Sequence, residues 1–393
     1  MKQGILTINA GSSSIKFALF PLDHPISPDA EVSGQIDGIG AETTKMVAKN
    51  RAGERIADQV LEGSKVSHAQ AFDALLKWFT ASHASWSIVA VGHRVVHGGE
   101  RYSQPTIVDD TVLGHLQSFI PLAPLHEPHN VAGIIALQAL LPSVPQIACF
   151  DTAFHRSQPE VAQTFGLPRS ITAEGIKRYG FHGLSYEFIA RALPQHSGRA
   201  SGRVVVAHLG NGASMAAMVN RKCVATTLGF STIDGLVMGT RCGNLDPGVV
   251  LHLMETKNLS VKDMTKMLYK ESGLLGVSGL SQDMRTLLAS DKPEAQEAVD
   301  LFCYRIAREL GSLAAAAGGL DAVVFTGGIG EHAAEVRRRV CLQSEWLGIR
   351  LNPEANARHE LRISAGNSSV DVLVIPTNEE WMMAHHAQTL LAL

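Results

Sequence analysis

Residues 4–20 read GILTINAGSSSIKFALF, and residues 203–219 read RVVVAHLGNGASMAAMV. Each is an apolar run, a tip of glycine with serine or asparagine, and a second apolar run. Short apolar runs bounded by such tips read as buried strands, so each stretch is expected to be a hairpin. Their identity is weak, but the same form recurring at the start of the second half predicts an internal duplication. A third strand, within DAVVFTGGIGEH, runs into Gly327–Gly330. Glycine lets a backbone approach a ligand closely, and consecutive N–H groups make a nest for anions. Ser12 and Ser14 add hydroxyl donors, and Lys16 adds charge. One such turn is ordinary; three at strand ends point to phosphate. GxxxxGK[ST] is absent, which excludes a P-loop, as is GxGxxG followed by an acidic residue, which excludes a dinucleotide Rossmann site.

The bulk numbers narrow the class. At 393 residues the chain is expected to form two domains, because single cores stop growing near roughly 250–300 residues. A hydrophobic share of 45% and a charged share of 18% suit a globular protein. The net charge of -3, with no long basic run, argues against nucleic acid as a partner. No apolar stretch is long enough to span a bilayer, and Asn9 with the serines interrupts any signal-peptide reading. Five scattered cysteines, none spaced as CxxC, are expected to be reduced thiols in a cytoplasmic protein.

Helices are expected from about Ser67 to His83, through HEPHNVAGIIALQALLP, after Asp246–Pro247, over Pro293–Ala317, and at the C-terminus. Residues 21–66 show no clear pattern. Two α/β lobes with a cleft between them are predicted: residues 1–150, joined by the C-terminal helix at about 380–393, and residues 151–379.

Two lobes, each led by a phosphate-gripping hairpin, resemble the actin, hexokinase and sugar-kinase superfamily. The likeness sharpens with NAGSSSIKF (from Asn9), GHRVVHGGE (from Gly92), PLAPLHEPHN (from Pro121), FDTAFH (from Phe150) and RYGFHGLSY (from Arg178). It continues with HLGNGAS (from His208), GLVMGTRCGNLDPG (from Gly235), FTGGIGEH (from Phe325) and PTNEE (from Pro376). In this order, over nearly the whole chain, these segments resemble the acetate kinase family.

That resemblance implies reversible transfer of phosphate from ATP to acetate or another short carboxylate, giving an acyl phosphate and ADP. A carboxylate is already an anion at neutral pH and needs no general base. Positioning and charge compensation must do most of the work. The resemblance assigns Arg94 to the substrate carboxylate, and Arg241 and His182 to the transferring phosphoryl group. It marks Asp151 as a proton donor or acceptor; since the nucleophile has no proton to lose, Asp151 is expected instead to orient an arginine or metal-bound water. Asn9 and Glu379 match the positions that hold Mg²⁺ (or Mn²⁺). Lys16, His208, Leu209, Gly210, Asn211, Gly212, Asp283, Met284, Arg285, Gly328, Ile329, Gly330, Glu331 and His332 match segments that contact ATP. Val96, Leu125, Phe181 and Thr232 are expected to form the acyl pocket. A homodimer is implied as well.

Departures from the family pattern fall at Glu127, Tyr186, Asn244, His332 and Thr232, the last replacing a pocket proline. Propionate is therefore a competing substrate. An actin-like ATPase would not need Arg94, His182 and Arg241 together. A zinc hydrolase built from His93 and His97, or from His126 and His129, lacks HExxH, and Pro128 disfavours a regular helix through the second pair.

Overall fold

The computed structural model describes residues 1–393. Eight strands form the first sheet: β1 Lys2–Ala10, β2 Ser14–Pro21, β3 Val32–Asp37, β4 Lys45–Asn50, β5 Arg55–Val60, β6 Trp86–Val95, β7 Thr106–Ile107 and β8 Gln146–Phe150. Their spatial order is β5-β4-β3-β2-β1-β6-β8-β7. Five more form the second sheet: β9 Arg203–Leu209, β10 Ala213–Val219, β11 Lys222–Thr226, β12 Ala322–Thr326 and β13 Asp371–Val374, in the order β11-β10-β9-β12-β13.

The predicted duplication is visible in these two orders. In β3-β2-β1-β6-β8 the first two pairings are antiparallel and the last two parallel. The strands β11-β10-β9-β12-β13 repeat that pattern of sense. Central parallel strands are covered on both faces and so read as unbroken apolar runs. All five residues of β12, and Val204–Ala207 in β9, are accordingly buried.

Contacts divide the chain into two compact units, residues 1–153 with 378–393 and residues 154–377. Asp151 and Glu379, expected just inside the second lobe, therefore belong to the first unit. Residues 21–66 supply β3, β4 and β5, an antiparallel meander at the sheet edge. Five of the six residues of β5 are exposed, so burial left little apolar pattern to read.

In the first unit, α1 (His68–Ser82) is capped by Ser67, whose side chain accepts from the Gln70 amide while Gln70 reaches back, a capping box. Helix α2 (Asp110–Ser118) is capped by Asp109. Helix α3 (Glu127–Leu140) carries Pro128 in its first turn. His126 is the N-cap and only His129 lies in the helix, so the pair does not share a regular helix; Pro128 stands where a first-turn proline gives up an N–H that has no intrahelical partner anyway. Phe72, Leu75 and Phe79 of α1 and Leu137 of α3 join β1–β4 residues in one core cluster. In the second unit, Tyr186 and Ile189 join Val204, Val206, Ala216 and Val324 in another. No helix is long and apolar enough to cross a membrane.

Candidate active site

The first unit assembles its polar centre from three strand ends. Parallel pairing of β6 with β8 sets Arg94 opposite Cys149, so Asp151, just past the end of β8, comes level with the guanidinium. Arg94 donates from Nε to Asp151 Oδ1 at 3.1 Å and from Nη2 to Oδ2 at 2.5 Å. Its Nη1 donates to Asn9 Oδ1 at 3.4 Å, and Glu379 Oε2 lies 4.0 Å from Nε. The Arg94 side chain is 20% exposed, Asp151 1% and Glu379 14%.

Burial raises the Glu379 carboxyl to about 7; Asp151 and Glu380 push the same way, while Arg94 and Lys16 oppose. Burial also disfavours charge on Arg94, but Asp151 and Glu379 reverse this and hold its pKa above the ordinary value. With its Nε–Nη2 edge on Asp151, the guanidinium turns Nη1 to Asn9, and a planar fork of this kind matches the two oxygens of a carboxylate.

The first hairpin's tip closes through Gly11 N–H to Ser14 C=O at 2.8 Å. Ser12 and Lys16 are exposed and Ser14 is half-buried. Glu380, next to Glu379, lines an open groove of about 810 Å³ together with Lys16, Lys49 and Arg51. The zinc alternative finds no support. No three His, Cys, Asp or Glu side chains group as a metal site. His93 bonds Gln146 at 2.7 Å, and burial lowers its pKa to about 4.

The second unit builds its centre around the tip of its own hairpin. His182 begins the helix Gly183–Ala192 with φ 59°, a left-handed conformation that is uncommon outside glycine. Its Nδ1 bonds Ser214 Oγ at 2.8 Å, and Ser214 Oγ bonds the Tyr186 hydroxyl at 2.5 Å. Tyr186 and Ser214 thus form a hydrogen-bonded relay to Nδ1, on the opposite side of the ring from Nε2. The His182 ring also stacks on His208 with centroids 4.6 Å apart, and His208 Nδ1 bonds Ser185 at 2.8 Å.

A Cβ built on Gly212 would lie 3.4 Å from His182 Nε2 and 3.9 Å from Arg241 Nη1. A bare glycine, an imidazole and a guanidinium thus meet at one place, where a negatively charged oxygen would find donors. Arg241 Nη1 is set by the Thr232 carbonyl at 3.1 Å. The Phe181 side chain is buried beside His182 in sequence, and Thr232 is half-buried. Of the expected acyl pocket, Val96 and Leu125 lie in the first unit, Phe181 and Thr232 in the second.

Beside this centre lies a cavity of about 530 Å³ lined by Gly210, Asn211, Asp283, Met284, Arg285, Gly328, Ile329 and His332, all from the segments matched to ATP contacts, and also by Gln282, Leu288 and Ala333. His208, Leu209, Gly212, Gly330 and Glu331 do not line it. Glu331 is turned inward: its Oε1 accepts from the amides of Gly327 and Thr377 at 2.9 and 3.3 Å, fixing the turn. Arg285 caps the rim, 91% exposed, and its contact holds Asp283 down to about 2.

Beneath the same turn lies a residue that sequence reasoning missed. Arg337 is fully buried. It donates to the carbonyls of Gly330 and Glu331, both at 2.8 Å, and to Asn356 Oδ1 and C=O at 2.8 and 2.9 Å. Burial brings its pKa down to about 10. It stands in a run of three arginines, which gives no hint that the first alone faces inward. Leu288, by contrast, repeats the apolar spacing of Met284 at i+4.

The profile of the Acetokinase family matches residues 4–385. An acetate kinase of Rhodopseudomonas palustris is 55% identical over 391 residues, covering 98% of each chain. One from Methylocella silvestris is 50% identical over 402 residues, covering 100% of this chain and 98% of the relative. Among solved structures, a propionate kinase from Francisella tularensis superposes with TM-score 0.90 at 36% identity, covering 98% and 99% of the two chains. Porphyromonas gingivalis acetate kinase superposes with TM-score 0.89 at 36% identity, covering 99% and 100%.

Proposed function

The chain belongs to the Acetokinase family: it transfers the terminal phosphoryl group of ATP to acetate, reversibly, to give acetyl phosphate and ADP, and we propose how its own residues do this. A carboxylate oxygen of acetate attacks the γ-phosphorus. The bond to the β,γ-bridging oxygen breaks, and ADP leaves with that electron pair. No proton is transferred from the nucleophile.

Arg94 holds the acetate carboxylate through its Nη1–Nη2 edge. Asp151 orients Arg94 rather than accepting a proton, because both of its oxygens already take guanidinium N–H groups. Arg241, His182 Nε2 and the backbone around Gly212 bind the phosphoryl oxygens as their charge redistributes. The meeting of His182 and Arg241 at Gly212 is the observation that carries this assignment. The nucleotide occupies the cavity over Gly328, Ile329 and Asp283, with Arg285 at its rim.

Mg²⁺, or Mn²⁺, fits the oxygen donors at the first centre. Asn9 supplies an amide oxygen and Glu379 a carboxylate, and Mg²⁺ takes few protein oxygens alongside water and phosphate. Bound there, the ion would offset phosphate charge and favour the ionised form of Glu379.

Propionate is proposed as a second acceptor. One methylene supplies only ~1–3 kcal/mol of discrimination, so selectivity should not exceed about a hundredfold. The Thr232 carbonyl accepts from Arg241 Nη1, which ties this pocket residue to the phosphoryl centre. Five free thiols suit the cytoplasm. A homodimer is proposed on the helix Pro247–Lys257, which buries none of its residues and leaves Leu251 68% exposed.

Steady-state kinetics of Arg94→Ala test the assignment. KM for acetate should rise at least tenfold with KM for ATP little changed. Equal movement of both would make Arg94 structural. The ratio of kcat/KM for acetate and propionate, in the wild type and in Thr232→Pro, tests the pocket; proline should shift it towards acetate.

A further inference from the structure

Glu127 opens α3 with no exposed surface. Its Oε2 accepts from the His97 amide at 3.2 Å, and its Oε1 has no hydrogen-bond partner. One turn on, buried Asn130 accepts from the Val96 amide at 3.0 Å and donates to the Ala10 carbonyl at 2.9 Å. The first turn of α3 thus takes up two consecutive amides just beyond Arg94, and the carbonyl just beyond Asn9.

A buried carboxylate needs several donors or a cation to compensate its charge. Glu127 has one neutral donor and an orphaned oxygen. Helix α3 packs on α1, α2, β1, β6 and β8. Titratable groups on or next to these elements are His126 and His129 on α3's own turn, His68, Asp73 and Lys77 on α1 with His83 at its end, Asp109, Asp110 and His115 at α2, and Lys2 on β1. His93, Arg94 and His97 come from β6 and its end, and Asp151 from the end of β8. Burial, reinforced by the charge on Asp151 and opposed by the His97 amide, raises the Glu127 carboxyl to about 8. The single donor, the orphaned oxygen and the complete burial agree with that direction.

We propose that Glu127 stands in the folded enzyme as the uncharged acid, fixing the His97 amide beside the Arg94–Val96 strand end, and that its ionisation weakens the hold on the substrate carboxylate. The proposal rests on the reading of Arg94 as the group that binds acetate. Glu127 is then a positioning residue. When ionised, it sets another anion near Asp151 and offsets part of the attraction that Arg94 exerts.

The test is KM for acetate and for ATP from pH 6 to pH 9 in the wild type, Glu127→Gln, Glu127→Ala and Arg94→Ala. Glutamine keeps the shape and cannot ionise. Between pH 7 and pH 9 the wild-type KM for acetate should rise by up to about tenfold more than that of Glu127→Gln, the factor equivalent to one pKa unit of coupling. KM for ATP should follow the same course in both. Glu127→Ala, lacking the acceptor for the His97 amide, should show a raised KM for acetate at every pH. An infrared spectrum at pH 7 supplies a readout independent of turnover: a protonated-carboxyl C=O stretch present in the wild type and lost in Glu127→Gln. Absence of that band, or parallel acetate profiles in the two proteins while Arg94→Ala shows its raised KM, overturns the inference alone. An unchanged KM in Arg94→Ala overturns the underlying assignment instead.

Discussion

Arg94 meets Asp151 along one full edge of its guanidinium, with Nη2 2.5 Å from Oδ2 and Nε 3.1 Å from each carboxylate oxygen. The pair is formed from strand ends, and Asp151 is 1% exposed. Asp151→Asn keeps the size but swaps one acceptor oxygen for a donor facing Nη2 or Nε. KM for acetate should rise by about tenfold or more, the cost of losing one buried charge-assisted contact, with KM for ATP little affected. A variant with normal KM for acetate and a kcat lowered by orders of magnitude would instead mark Asp151 as a proton-transfer group.

Arg241→Ala and His182→Ala should each lower kcat by ~10²–10³, the usual loss when a donor to developing charge is removed, while moving either KM much less. Arg241→Lys should also be poor, since an ammonium lacks the fork. Tyr186→Phe breaks the relay behind His182 and is expected to lower kcat more mildly. Near-normal kcat in any of these would remove that residue from the phosphoryl site.

Arg337→Met removes donors from four oxygen atoms beneath the Gly327–Glu331 turn, and a contact with His359 Nδ1. Buried acceptors left unpaired cost about 1–3 kcal/mol each before the site relaxes, so chemical denaturation should show a loss of at least about 2 kcal/mol. KM for ATP should rise with KM for acetate nearly constant, because the turn carrying Gly328 and Ile329 loses its support. Thermal melting alone would not separate these effects; the split between the two KM values does. Equal KM values in variant and wild type, measured below the melting transition, would make Arg337 a purely structural residue.

The raised Glu127 carboxyl also sets a sign for stability. Its folded pKa of about 8 lies above its ordinary 4.5. Between these values the native state binds more protons than the unfolded chain, so this group's contribution falls as pH rises through that window and is intact below it. Glu127→Gln has no such dependence. Its melting temperature relative to the wild type should therefore climb from pH 5 to pH 8. A constant difference would show that Glu127 is ionised in the native state.

How much of this was legible in the chain follows from burial. The hairpins at 4–20 and 203–219 were readable because both faces of β1, β2, β9 and β10 are largely covered, leaving apolar runs broken only at the tips. Strands β3–β5 were not, because the edge meander is only partly covered at β3 and β4 and nearly bare at β5, and so carries polar residues at mixed spacing. Helix boundaries were readable where capping chemistry marked them, as at Ser67 and Asp246. Pro128 marked a helix start, because a proline is tolerated in the first turn and not in the interior. At the site, Arg94, His182 and Arg241 stood out in glycine-flanked segments. Asp151 was expected to orient an arginine, but which arginine it meets is set by the β6–β8 register, and Glu331 and Arg337 reveal their inward direction only once the turn is folded.

The C-terminal helix Glu379–Leu391 packs on β1 and β6, with the Met383 backbone against Gly92. The first unit therefore lacks its final layer until residues 379–391 have been synthesised, whereas the second unit is one uninterrupted segment, residues 154–377. Domains generally fold as units while the chain emerges. On the ribosome, the half that is encoded later should thus be the first to reach completion. The first unit waits for residues 379–391, and with them for Glu379, so a chain cut short before residue 378 would lose the sheet's cover and a proposed metal ligand in the same event.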